Sequence, residues 1–192
     1  MLLPVSSFER QPYGLFPLMN GISVEGGLVG EIVAGVGRQA GTPVVTLYDD
    51  GGADGYGSAT STSLVGLIDD STTGSKNSGF GNIGQVGKLL DGTQVGPSTT
   101  YGSGKATIWV EAGLFITDQF AADVTTSIAT GTALYATSAG KLTTVVGTNR
   151  IGTALKVYTG GLNNVAVQEL LGVLPRVQPL PANTTLLLFK FK

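Results

Sequence analysis

Residues 130–155, TGTALYATSAGKLTTVVGTNRIGTAL, decide the fold. Short apolar and β-branched runs alternate there with small turn-forming residues. Ala133 to Ala136 reads as a strand, Ser138-Ala139-Gly140 as a turn, and Lys141 to Val146 as a second strand. Gly147-Thr148-Asn149 is the next turn, and Ile151 to Val157 a third strand. Strands separated by such tight Gly- and Asn-bearing turns are a hairpin signature.

The same pattern extends in both directions. Upstream, Thr107 to Thr117, TIWVEAGLFIT, reads as two strand pieces bent at Gly113, with room for one helical turn at 118–122. Earlier still, VGEIVAGVG (29–37), PVVTLY (43–48) and SLVGLI (63–68) carry strand residues, and DDGGADGYG (49–57) breaks them. Downstream, VAVQELL (165–171) fits either a strand or a short helix. Pro175, Pro179 and Pro181 then mark an extended linker. Thr184 to Phe191 closes the pattern as a strand, with Leu187, Phe189 and Phe191 on one face and Lys190 and Lys192 on the other. The fold class that follows is all-β, a β-sandwich or small β-barrel. Residues 21–192 form its domain, with a long Gly-rich loop insertion at about 69–106.

Residues 1–20 read as an extended N-terminal arm, because Pro4, Pro12 and Pro17 oppose helix. The arm is apolar, so it either packs along its own domain or docks on a neighbour. On the docking reading, Leu3, Phe8, Tyr13, Phe16 and Leu18 are its contact residues, and the arm is dispensable for folding.

Composition narrows the function. Among 192 residues there are 30 Gly, no His and no Cys, and 12% are charged. Lacking Cys, the chain has no disulfide, thiolate nucleophile or cysteine metal site. Lacking His, it has neither the commonest metal ligand nor the usual neutral-pH base. Eleven basic residues against thirteen acidic ones create no field suited to nucleic acid. No run approaches the ~20 apolar residues of a membrane helix, and MLLPVSSFERQPYGLFPLMNG has no secretory pattern. The expectation is a protein without cofactor or metal, binding neither nucleic acid nor membrane, and made in the host cytoplasm.

Several local motifs have a plainer reading. Gly79-Phe80-Gly81-Asn82-Ile83-Gly84 has dinucleotide-loop spacing but lacks the strand and helix that give such a loop its use. Gly102-Ser103-Gly104-Lys105 has Ala106 where a phosphate loop needs Ser or Thr. Asp49, Asp50, Asp54, Asp69 and Asp70 offer calcium-type oxygens, yet Asp with Gly is also ordinary turn chemistry. Asp118 and Asp123 are available as a carboxylate pair, or as turn and capping residues. Trp109, the single tryptophan, sits in an apolar run and reads as core. The chain is not expected to be an enzyme.

The region 107–157 resembles the capsid decoration, or cement, proteins of tailed bacteriophages. GKATIWVEAGLFITDQFAADVTT, IATGTALYATSAGKLTT and RIGTALKVY carry the likeness, and GLVGEIVAG, GTPVVTLYDD and SLVGLIDD repeat its grammar, over about two-thirds of the chain. The resemblance implies a structural virion protein on the capsid exterior. Its partners would be the major capsid protein, whose neighbouring subunits it bridges, and itself, as a homotrimer or other small homo-oligomer. Two further readings fit the same composition. One is a tail-tube or baseplate subunit, using the 69–106 loop for stacking. The other is a carbohydrate-binding adhesin module, using Tyr56, Phe80 and Tyr101.

Overall fold

The computed structural model describes residues 2–5, 13–18, 23–35, 40–48, 64–68, 72–73, 105–161, 164–171 and 184–192. They form an all-β fold of two main antiparallel sheets. The strands are β1 (Leu2–Pro4), β2 (Tyr13–Pro17), β3 (Ser23–Val24), β4 (Val29–Ala34), β5 (Pro43–Leu47), β6 (Leu64–Ile68), β7 (Thr72–Thr73), β8 (Lys105–Trp109), β9 (Gly113–Thr117), β10 (Ala133–Ala136), β11 (Leu142–Thr143), β12 (Gly152–Tyr158) and β13 (Leu186–Phe191). The helix α1 spans Val165–Leu171.

One sheet runs β1-β9-β13-β12-β10-β11 and the other β2-β8-β6-β4-β5, while β3 and β7 pair by themselves. The five-stranded sheet curls into a half-barrel. Leu18, just past β2, bridges Val45 of β5 in parallel, so the two edges of that sheet meet.

Strand alternation explains the three apolar clusters. Along β5, Val45 and Leu47 face the inside of the half-barrel with Leu18, Ile68, Ala106 and Ile108. Tyr48, Val65, Leu67 and Trp109 face the other sheet, where they meet Phe115, Leu134, Phe189 and Phe191 in the main core. Trp109 is 6% exposed, and its ring stands edge-on to Phe115 at 5.5 Å. Such a pair contributes about 0.5–1.5 kcal/mol beyond its area. The expected face of Leu187, Phe189 and Phe191 is the core face of β13. Leu186 and Leu188 are buried on the opposite face against Val167 of α1. The run LLLF is therefore covered on both sides, as a central strand requires.

Four sequence expectations are revised. The strand expected over 141–146 is only β11. The 107–117 run breaks at 110–112, and Gly113 opens β9 instead of bending within it. Residues 118–122 make a bridge from Phe120 to Leu142, with turns following, and no helix. Within the 69–106 insertion, Thr72–Thr73 pairs with β3, and β8 begins at Lys105. For VAVQELL the helix prevails. Asn164 caps it, its Oδ1 accepting the Ala166 N–H at 3.0 Å.

Of the two courses open to residues 1–20, the described part packs on its own domain. β1 extends the six-stranded sheet through Leu2–Thr117 and Pro4–Phe115, and β2 pairs with β8. The N-terminal segment thus supplies a strand to each sheet.

Candidate interaction surface

The loop between β11 and β12 starts and ends in the core, since Leu142 and Ile151 are both fully buried. Between them the chain turns outward. Val145 is 67% exposed and its neighbour Val146 78%, the two most exposed large apolar side chains among the described residues. Single exposed apolar side chains are unremarkable. Here two adjacent ones are held out by a clamp.

The clamp is Asp123. Its Oδ2 accepts the Thr143 hydroxyl at 2.9 Å, the Thr144 hydroxyl at 2.6 Å and the Thr144 N–H at 2.5 Å. Thr143 Oγ1 also accepts the Val145 N–H at 3.1 Å. These bonds explain why β11 stops at Thr143: the Thr144 donor goes to a carboxylate instead of a neighbouring strand. Partial burial alone would raise the Asp123 carboxyl. The bonds from the Thr144 hydroxyl and N–H and the Thr143 hydroxyl outweigh it and hold the group below its ordinary value.

The far end of the loop is tied as well. Asn149 Nδ2 lies 3.5 Å from the hydroxyl of buried Tyr48. Arg150 donates through Nε to the Gly152 carbonyl and through a terminal nitrogen to Thr153 Oγ1 at 2.7 Å. Below the tip, the turn at 137–140 locks the sheets together. The Val29 N–H donates to the Gly140 carbonyl at 2.7 Å, with Gly140 at φ +72.

The expected arm contacts are dispersed by the fold. Leu3 lies in β1, with its backbone opposite Ile116. Tyr13 lies in β2 opposite Ile108. Phe16 is half-buried against the half-barrel core, and Leu18, 1% exposed, is part of it. Phe8 lies outside the described residues, as do the Asp-rich turns of Asp49 to Asp70, the 79–84 glycines, Tyr56, Phe80 and Tyr101. Phe16 and Leu18 therefore act inside the domain. Of the carboxylate pair, Asp123 is the clamp, and Asp118 accepts from Gln119 Nε2 at 3.1 Å.

Among the described residues, no group of three or more His, Cys, Asp or Glu is placed to hold a metal, and no helix is long and apolar enough to cross a membrane. Val145 and Val146 were hidden from sequence reading because a β-branched pair after two threonines looks like strand. No protein-family model, no curated protein and no solved structure matches the chain.

Proposed function

We propose that this is a structural binding protein of a tailed-phage virion. It decorates the outer face of the head and bridges neighbouring major capsid subunits, itself assembled as a homotrimer or other small homo-oligomer. The sequence likeness over 107–157 supports the family. The observation that carries the mode of action is the Asp123-clamped tip with Val145 and Val146 in solvent. An adhesive protein gains from a preorganised apolar contact, because less loop entropy is lost on docking. Fully burying a valine in a partner contributes about 1.5–3 kcal/mol, and repetition around an oligomer multiplies the effect through effective concentration.

The test is co-sedimentation with purified heads lacking the protein, comparing the wild type with a Val145→Asp/Val146→Asp double variant. The wild type should saturate the heads. The variant should be lost from the pellet while its Trp109 emission and melting stay native. Saturation by the variant, or failure of the wild type to bind, removes the reading.

A further inference from the structure

At the end of the six-stranded sheet, β12 begins where β13 finishes. Gly152 lies opposite Phe191 and Thr153 opposite Lys190. This register brings together cations forty residues apart in sequence. Arg150, Gly152, Thr153, Lys190 and Lys192 line a half-open cleft of about 350 Å³.

Its donors are arranged ahead of any ligand. The Arg150 guanidinium is fixed by the Gly152 carbonyl and Thr153 Oγ1. Of its five N–H donors those two are engaged, leaving the rest of the fork. Lys192, at φ 46, leaves the strand direction, and its ammonium donates to the Val65 carbonyl of the other sheet at 2.9 Å. The same ammonium lies 5.2 Å from the centre of the Phe191 ring, and its one hydrogen bond leaves it two further N–H donors. Burial holds this ammonium below its ordinary value, a cost that a bound anion would relieve. Lys190 is exposed beside them. Among the described residues, no carboxylate pairs with Arg150, Lys190 or Lys192. Gly152 is part of the lining, and a Cβ there would stand 2.2 Å from the Lys190 carbonyl oxygen, so glycine lets β12 and β13 approach closely at this end.

We propose that this cleft is an oxyanion-binding site, taking one carboxylate or phosphate group between Arg150, Lys190 and Lys192. Guanidinium and ammonium donors lining one cleft, two of them fixed by hydrogen bonds, are the chemistry that recognises such a group. The proposal does not depend on a virion role. The oxyanion comes either free from solution or on an acidic side chain of another protein.

The full-length chain, labelled with ¹⁵N, is titrated with inorganic phosphate and, separately, with a short all-glutamate peptide and its all-glutamine counterpart. The amides of Gly152, Thr153, Lys190 and Lys192 should shift, and added salt should weaken the effect. Lys190→Glu and Arg150→Gln should each weaken binding by about tenfold or more, whereas Lys141→Gln, outside the cleft, should not. Shifts with phosphate alone assign a free anion. Shifts with the glutamate peptide and not the glutamine one assign a protein carboxylate. Either supports the site. The proposal is overturned if neither probe moves these amides, if the glutamine peptide moves them equally, or if Lys190→Glu binds like the wild type.

Discussion

The Asp123 carboxylate accepts the backbone N–H of Thr144 at 2.5 Å, across 21 residues of chain. That bond ends a strand, orients the β11–β12 loop and fixes where two valines stand. A side chain here controls a backbone course that local propensity would have set otherwise.

Removing the clamp should loosen the tip more than the fold. Asp123→Ala deletes the acceptor of three bonds at an exposed site, so the global loss should be about 1 kcal/mol, discounted from the 1.5–3 of buried charged hydrogen bonds. Proteolysis within 144–149 should accelerate. The clamp also predicts a pH dependence. The folded carboxyl sits below its unfolded value, so its stabilisation is complete above about pH 4 and disappears as the pH falls through the lower folded value. Melting curves of wild type and Asp123→Asn should therefore converge in acid and separate above pH 4. Parallel curves across that range would refute the assignment.

Leu18 is a core residue, and cutting it back should show this. Leu18→Ala should cost about 2–5 kcal/mol by urea titration, as for other buried leucines. Deleting residues 1–18 should abolish cooperative melting, because each sheet loses an edge strand. A truncated chain that melts like the intact one would restore the dispensable arm.

Gly140→Ala should weaken the tie between the sheets. The left-handed φ disfavours a side chain by about 1–2 kcal/mol. The new Cβ would also stand 2.7 Å from the Val29 carbonyl oxygen, threatening the Val29–Gly140 hydrogen bond, worth about 1 kcal/mol. A loss near 2–3 kcal/mol should appear as a melting point lower by roughly 4–12 °C. An unchanged melting point would show that the turn shifts freely.

What could be read from the residues was whatever depends on near neighbours. Ala133 to Ala136 is a strand with the predicted bounds, and the alternation in TTLLLFKF places Leu187, Phe189 and Phe191 on the core face. What could not be read depends on distant partners. Lys141 to Val146 has strand composition throughout, but Asp123 diverts it at Thr144. Residues 13–18 belong to an extended arm whose docking place, its own domain or a neighbour, stays open until Val45 and the β8 ladder are brought alongside. Lys192 follows the alternation of its strand only until a left-handed φ turns it toward Val65. The cleft is the extreme case, since nothing near Arg150 in sequence announces Lys190; only the β12–β13 register joins them.

The pairing of the first strands with late ones has a consequence for biosynthesis. Tyr13 waits for Ile108, and Leu2 for Thr117. At roughly 5–20 residues per second, a ribosome needs about 5–20 s to supply those partners. Throughout that interval β1 and β2 lack their ladder partners and display unsatisfied apolar strand. Chaperone engagement during translation should concentrate there and end once the ninth strand emerges from the exit tunnel.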